Sequence, residues 1–158
     1  MNNSQWFGEH LRTSAEGFLW GAQQIQVERR YLSPPPVLGE WSAARHVFHM
    51  VYYEETFALP SMYQWLGGAG LTREELDKID EEAAWNEGYE FDMLQKQFRE
   101  VRERQIALTA ELGEELWLEK RRTVWGLTTL HWVVSKTYQH TADHTNTILQ
   151  MVLFWDLV

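Results

Sequence analysis

Two histidines, His140 and His144, stand four residues apart in SKTYQHTADHTNTI (135–148), a stretch without Pro or Gly that leads into an apolar run. On an α-helix that spacing places both imidazoles one turn apart and ~40° around the axis, so both rings reach one point beside the helix, as helical metal-binding pairs do. Two histidines packed in a core show the same spacing, so a metal reading needs a third ligand, and in a helical protein it must come from a facing helix. The segment GEWSAARHVFHMVYYEET offers His46 and His49. Its apolar arc is set by Trp41, Ala44, Val47, Phe48, Val51 and Tyr52, and His49 lies nearer that arc than His46, with neither at its centre. His131 sits about half a turn from His140 and cannot join the pair, and His10 and His46 receive no role. His140 is followed by Thr141, so the glutamate of an HExxH peptidase is missing. Tyr52 and Tyr53, three and four residues after His49, are placed to line a metal mouth or simply to pack. Glu55 falls on the apolar side of its helix, as a base or support for a ligand, or else as the ion-pair partner of an arginine such as Arg12, Arg29 or Arg30.

Composition narrows the chemistry further. The 158 residues carry 14 Lys+Arg against 23 Asp+Glu, a formal charge of −9, which is not the footprint of a phosphate-backbone binder, so nucleic acid is not the expected partner. With no cysteine, any metal must be held by histidines and carboxylates, and any thiol chemistry must use an external thiol. No apolar run approaches the ~20 residues that span a bilayer, and MNNSQWFGEHLRTSAEG lacks the basic and apolar regions of a signal peptide. A cytoplasmic protein without membrane contact is expected.

The elements that must position these side chains read as four long helices in one domain over 1–158. The first spans 4–30, with Ser4 as its cap and the SPPP stretch at 33–36 as its stop. The second runs from about Trp41 to Leu66, kinked or shortened by Pro60 and ended by Gly67 and Gly68. LTREELDKIDEEAAW reads as a short acidic helix or ordered loop that connects rather than builds the core, with Thr72 and Glu75 in capping-box spacing. A third helix covers 89–112, closed by Gly113, and after a connector containing Trp117 and Trp125 the fourth begins at a Thr128 or Thr129 cap. Its apolar stripe of Leu130, Val133, Val134, Ile148, Met151, Val152 and Trp155 has His140 and His144 near its edge. No strand alternation stands out, so the predicted fold is an all-α four-helix bundle with at least one extended connection. Apolar residues such as Leu153, Phe154 and Trp155 go most of the way round the end of the last helix, and a homodimer is expected to cover them.

EWSAARHVFHM, with Trp-Ser opening the second helix and a His eight residues after that Trp, together with HTADHTNTI on the last helix, resembles the DinB-like superfamily of four-helix-bundle metalloenzymes. The resemblance implies a divalent metal held by His49, His140 and His144. It also implies kinship with thiol-dependent S-transferases and a thiol-dependent isomerase, and with many members of unassigned reaction. Three imidazoles on Zn²⁺, Ni²⁺ or a similar ion leave room for water or substrate, which suits Lewis-acid chemistry or activation of a low-molecular-weight thiol cosubstrate. The expected function is thus a metal-dependent S-transferase acting on a small electrophile. The alternatives are a non-catalytic metal-binding or ligand-sensing bundle, and a metal-dependent hydrolase.

Overall fold

The computed structural model describes residues 2–158. They are mostly helical, with one small two-stranded sheet, as the all-α reading expects apart from that sheet. Helix α1, Asn3–Gln24, is capped by Asn2, whose side chain accepts from Gln5 N while Gln5 reaches back to the Asn2 backbone N–H. Ser4, the expected cap, instead donates to the Leu112 carbonyl at 3.0 Å and accepts from Trp117 Nε1 at 3.3 Å, tying α1 to the far end of the third long helix. α1 stops at Gln24 rather than near 30. Ile25 takes an extended conformation and buries its side chain, and only a 3₁₀ turn, Val27–Arg29, follows.

Helix α2, Ala43–Tyr53, starts where Ser42 accepts from Arg45 N, and eight of its residues besides Arg45 are buried. Pro60 has no N–H and its ring crowds the carbonyl four residues back, so the helix widens ahead of it instead of breaking. Glu54–Ala58 form a π turn in which Leu59 N–H donates to the Glu54 carbonyl, and the chain continues as α3, Leu59–Tyr63, and a 3₁₀ turn at Gln64–Leu66. Gly67, at φ +84°, closes it in the left-handed region that a side chain would disfavour. The acidic segment forms two short helices, α4 (Arg73–Asp77) and α5 (Glu81–Ala84). Thr72 and Glu75 make the capping box read from their spacing, and Asp80 caps α5.

Helix α6, Phe91–Glu111, buries Phe91, Leu94, Phe98, Val101 and Leu108. Between α6 and the last helix the connector folds into a hairpin, β1 (Lys120–Thr123) antiparallel to β2 (Gly126–Thr129), with Lys120 opposite Thr129 and Thr123 opposite Gly126. Gly126 at φ +94° allows the tight reversal. Helix α7, Leu130–Phe154, follows directly, capped by Thr129, which accepts from Trp132 N. α1 packs along both α6 and α7, α2 packs along α6, and α2 and α3 both meet α7. A Cβ added at Gly8 would lie 3.3 Å from Thr109 Oγ1, so α1 and α6 come close there. The result brings the histidine-bearing turns of α2 and α7 face to face.

Candidate metal centre

His46 and His49 on α2 meet His140 and His144 on α7 in two crosswise contacts. His49 Nε2 lies 3.0 Å from His140 Nε2, and His140 Nε2 lies 3.2 Å from His144 Nε2. Ligand nitrogens bound at 2.0–2.1 Å to one tetrahedral ion sit roughly 3.3 Å apart, so these separations are close to the edges of a coordination polyhedron. His49, His140 and His144 each bring one ring nitrogen to within 4.8 Å of the others, the one such group of three found among the described residues.

Proton bookkeeping shows why a cation suits them. His49 Nδ1 faces both oxygens of Glu81, at 2.8 and 3.0 Å, and can only be the donor to that carboxylate. Its Nε2 therefore carries a lone pair turned toward His140. One neutral imidazole has one N–H, so His140 Nε2 can donate to His49 or to His144 but not to both well. A cation accepts all three lone pairs at once. Burial keeps two of the imidazoles neutral: it lowers His140 to about 3 and His144 to about 4, helped by the neighbouring histidines. The donor set thus fits a divalent metal ion.

Around the three rings stands a supporting layer that the sequence showed only in part. Glu81, at the start of α5, lies in the acidic segment read as a mere connector, yet it orients His49 and also sits 3.3 Å from the Arg45 guanidinium. Arg45 is buried, bonded to Glu82 at 2.6 Å, and lies 5.1–5.3 Å from the Trp41, Phe48 and Trp85 rings. That guanidinium fastens α5, and so Glu81, to α2. Trp41 closes the arrangement, its ring 5.0 Å from His49 and parallel to His144 at 6.3 Å. His46, which received no role from its spacing, places Nδ1 2.8 Å from His144 Nδ1, and burial lowers it to about 3.

The two tyrosines separate. Tyr53 packs its ring 4.1 Å from His140, and its buried hydroxyl has no well-formed hydrogen bond; burial pushes the phenol up to about 12, against a small opposing pull from the Thr137 hydroxyl. Tyr52 is half-buried, packed on Phe48 and facing the Glu81 side, where burial and that carboxylate raise its phenol. Glu55 is half-exposed and paired with Arg104 at 2.8 Å, a partner other than the three arginines considered. The carboxylate its helix does bury is that of Glu54, inside the π turn. The carboxylate at the histidines is Glu81. His131 packs its ring against Phe7, and His10 stacks on Trp6 at 3.8 Å, both apart from the cluster.

The three histidines are partly buried. Trp41, Arg45, Glu82 and Trp85 also line a cavity of about 160 Å³. A larger groove of about 320 Å³ lies between α1 and α6, lined by Leu19, Trp20 and Arg99 but by no histidine, so volume alone does not mark the chemistry.

No curated protein and no solved structure gave a significant match to this chain. The family model of the DinB superfamily matches residues 26–148, from just beyond α1, across α2 and into α7 past His144. That span is well over half of the chain and contains His49, His140, His144 and Glu81, and on it the protein belongs to the DinB superfamily.

Proposed function

We propose that this protein is a metal-dependent enzyme in which His49, His140 and His144 hold one divalent cation, and that its reaction joins a low-molecular-weight thiol to a small electrophile. The observation that carries the metal reading is the convergence of three ring nitrogens with too few protons to satisfy one another. A divalent ion bound there would supply Lewis-acid chemistry, including a lowered pKa for an external thiol. The chain's own residues would do the rest. Glu81 orients His49, Trp41 shields one side, and Tyr53, protonated at neutral pH, presents a phenol beside His140.

Transfer is favoured over hydrolysis because no carboxylate besides Glu81 contacts the histidines, and Glu81 is already engaged by His49 and Arg45. Hydrolysis needs a group to manage the proton of water, whereas thiol activation by coordination asks less of the protein. The reading extends to the whole chain as one four-helix-bundle domain built from α1, α2 with α3, α6 and α7, working in the cytoplasm as a homodimer. Exposed Leu153, Phe154 and Leu157 at the end of α7 support a second copy covering that end.

Metal-loaded protein is incubated with a halo-aromatic or an epoxide, with and without bacterial low-molecular-weight thiols, beside His144→Ala. A thiol conjugate formed by the wild type and not by the variant is expected. Thiol-independent, metal-dependent ester or amide cleavage would overturn transfer in favour of hydrolysis. Metal binding without turnover of any substrate would favour a sensing or structural role.

A further inference from the structure

We infer that His46 is a positioning residue for the metal centre: it holds His144 in the one tautomer that can bind a cation. The inference rests on the three-histidine reading and deepens it. His144 turns Nε2 toward His140, 3.2 Å away, and Nδ1 toward His46, 2.8 Å away. The two nitrogens lie on different sides of one ring, so His46 stands behind His144 and is not an alternative ligand. For Nε2 of His144 to offer a lone pair to an ion, its single proton must sit on Nδ1. His46 Nδ1 then has to accept that proton's hydrogen bond, which puts the proton of His46 on its own Nε2. Among the described residues no other side chain hydrogen-bonds a ring nitrogen of His46, so none competes for this arrangement.

The geometry follows from helical spacing on both sides. His46 and His49 are i, i+3 on α2 while His140 and His144 are i, i+4 on α7, so each α2 histidine meets a different α7 histidine. Two of the three ligands consequently have an outer partner and the third has none. His49 donates to a carboxylate, His144 donates to a neutral imidazole, and His140 Nδ1 is buried with no protein partner. An outer partner that fixes tautomer and ring orientation typically contributes 10- to 100-fold to metal affinity.

Zinc affinity is measured on metal-free, untagged wild type, His46→Leu and His46→Gln, with folding followed by far-UV circular dichroism. The expected result is a drop of about 10- to 100-fold for His46→Leu, and recovery of most of it in His46→Gln, whose amide oxygen can accept from His144 Nδ1–H. Long-range ¹H–¹⁵N spectra of zinc-loaded wild type supply a readout that simple packing would not move: His144 protonated on Nδ1, His46 protonated on Nε2. Unchanged zinc affinity in folded His46→Leu, or a His46 protonated on Nδ1 in the zinc-loaded wild type, overturns the inference and leaves the three-histidine centre standing. Should His46→Leu not fold, the wild-type spectrum decides between the same two outcomes. Wild type that binds no zinc overturns both readings together.

Discussion

Two polar clusters share helix α7 and obey opposite rules. In the first, Arg102 and Glu54 are almost fully buried, and donors and acceptors match. Glu54 accepts from Arg102 and from Gln105 Nε2 at 2.6 Å, while Arg102 also donates to the Leu11 carbonyl at 2.7 Å, Ser14 Oγ at 2.9 Å and Thr141 Oγ1 at 2.7 Å. Burial pushes the Glu54 carboxyl up, and Arg102 and Gln105 pull it back down. Only Gln105 Oε1 in that group lacks a partner. In the second cluster, the Nε2 atoms of His49, His140 and His144 converge with too few protons to bond one another, and Tyr53 Oη and His140 Nδ1 lie buried without well-formed hydrogen bonds. A polar cluster that closes on itself holds helices together, whereas one short of protons is built for something that brings positive charge.

The comparison breaks most sharply at Arg102. Arg102→Met leaves the Glu54 carboxylate buried and unpaired, and should cost about 3–5 kcal/mol in urea unfolding, with Glu54→Leu in the same chain restoring much of it. Metal binding per folded molecule should stay unchanged, because Arg102 touches Thr141 but none of the histidines. A smaller effect is expected at Glu81. Glu81→Gln keeps the size and an acceptor but loses the charge that holds His49 and Arg45, and zinc affinity should fall about 10-fold or more. Glu55→Gln, measured in the same titration, should leave it unaltered.

A further expectation concerns pH dependence. The histidine pKa values are lowered on folding, to about 3 for His46 and His140 and about 4 for His144, from about 6.5 in the unfolded chain. Between those limits the unfolded chain binds more protons, so stability of the metal-free protein is complete above about pH 7 and declines as pH falls toward 4. Each histidine contributes up to about 1 kcal/mol per pH unit in that window. His140→Ala should flatten the slope seen by thermal unfolding across pH 4–7.

How much of this could be read from the chain depended on whether a signal was periodic. His140 and His144 were legible because i, i+4 on an uninterrupted helix leaves one geometry. His49 stood out over His46 only by its place on the apolar arc and by the resemblance of its surroundings. Glu81 was not legible: it sits on a four-residue helix whose docking is set by Arg45, and an acidic run looks the same whether it floats in solvent or folds back. The hairpin escaped because Lys-Arg-Arg-Thr and Gly-Leu-Thr-Thr are too short and too polar to alternate visibly. Glu55, read as lying on the apolar side of its helix, is half-exposed and paired with Arg104. The π turn ahead of Pro60 changes the phase, and it is Glu54 that faces the core.

The central claim is that the histidine cluster is a metal centre. Zinc titration of metal-free, untagged protein by calorimetry, beside His140→Ala, tests it most directly. His140 Nε2 lies between the other two ligand nitrogens, so its removal should abolish tight binding. The account expects one ion per wild-type chain and at least a 100-fold loss in the variant, on the order of 3 kcal/mol. Wild type that takes up no zinc or nickel, or a variant that binds as tightly as wild type, would contradict it.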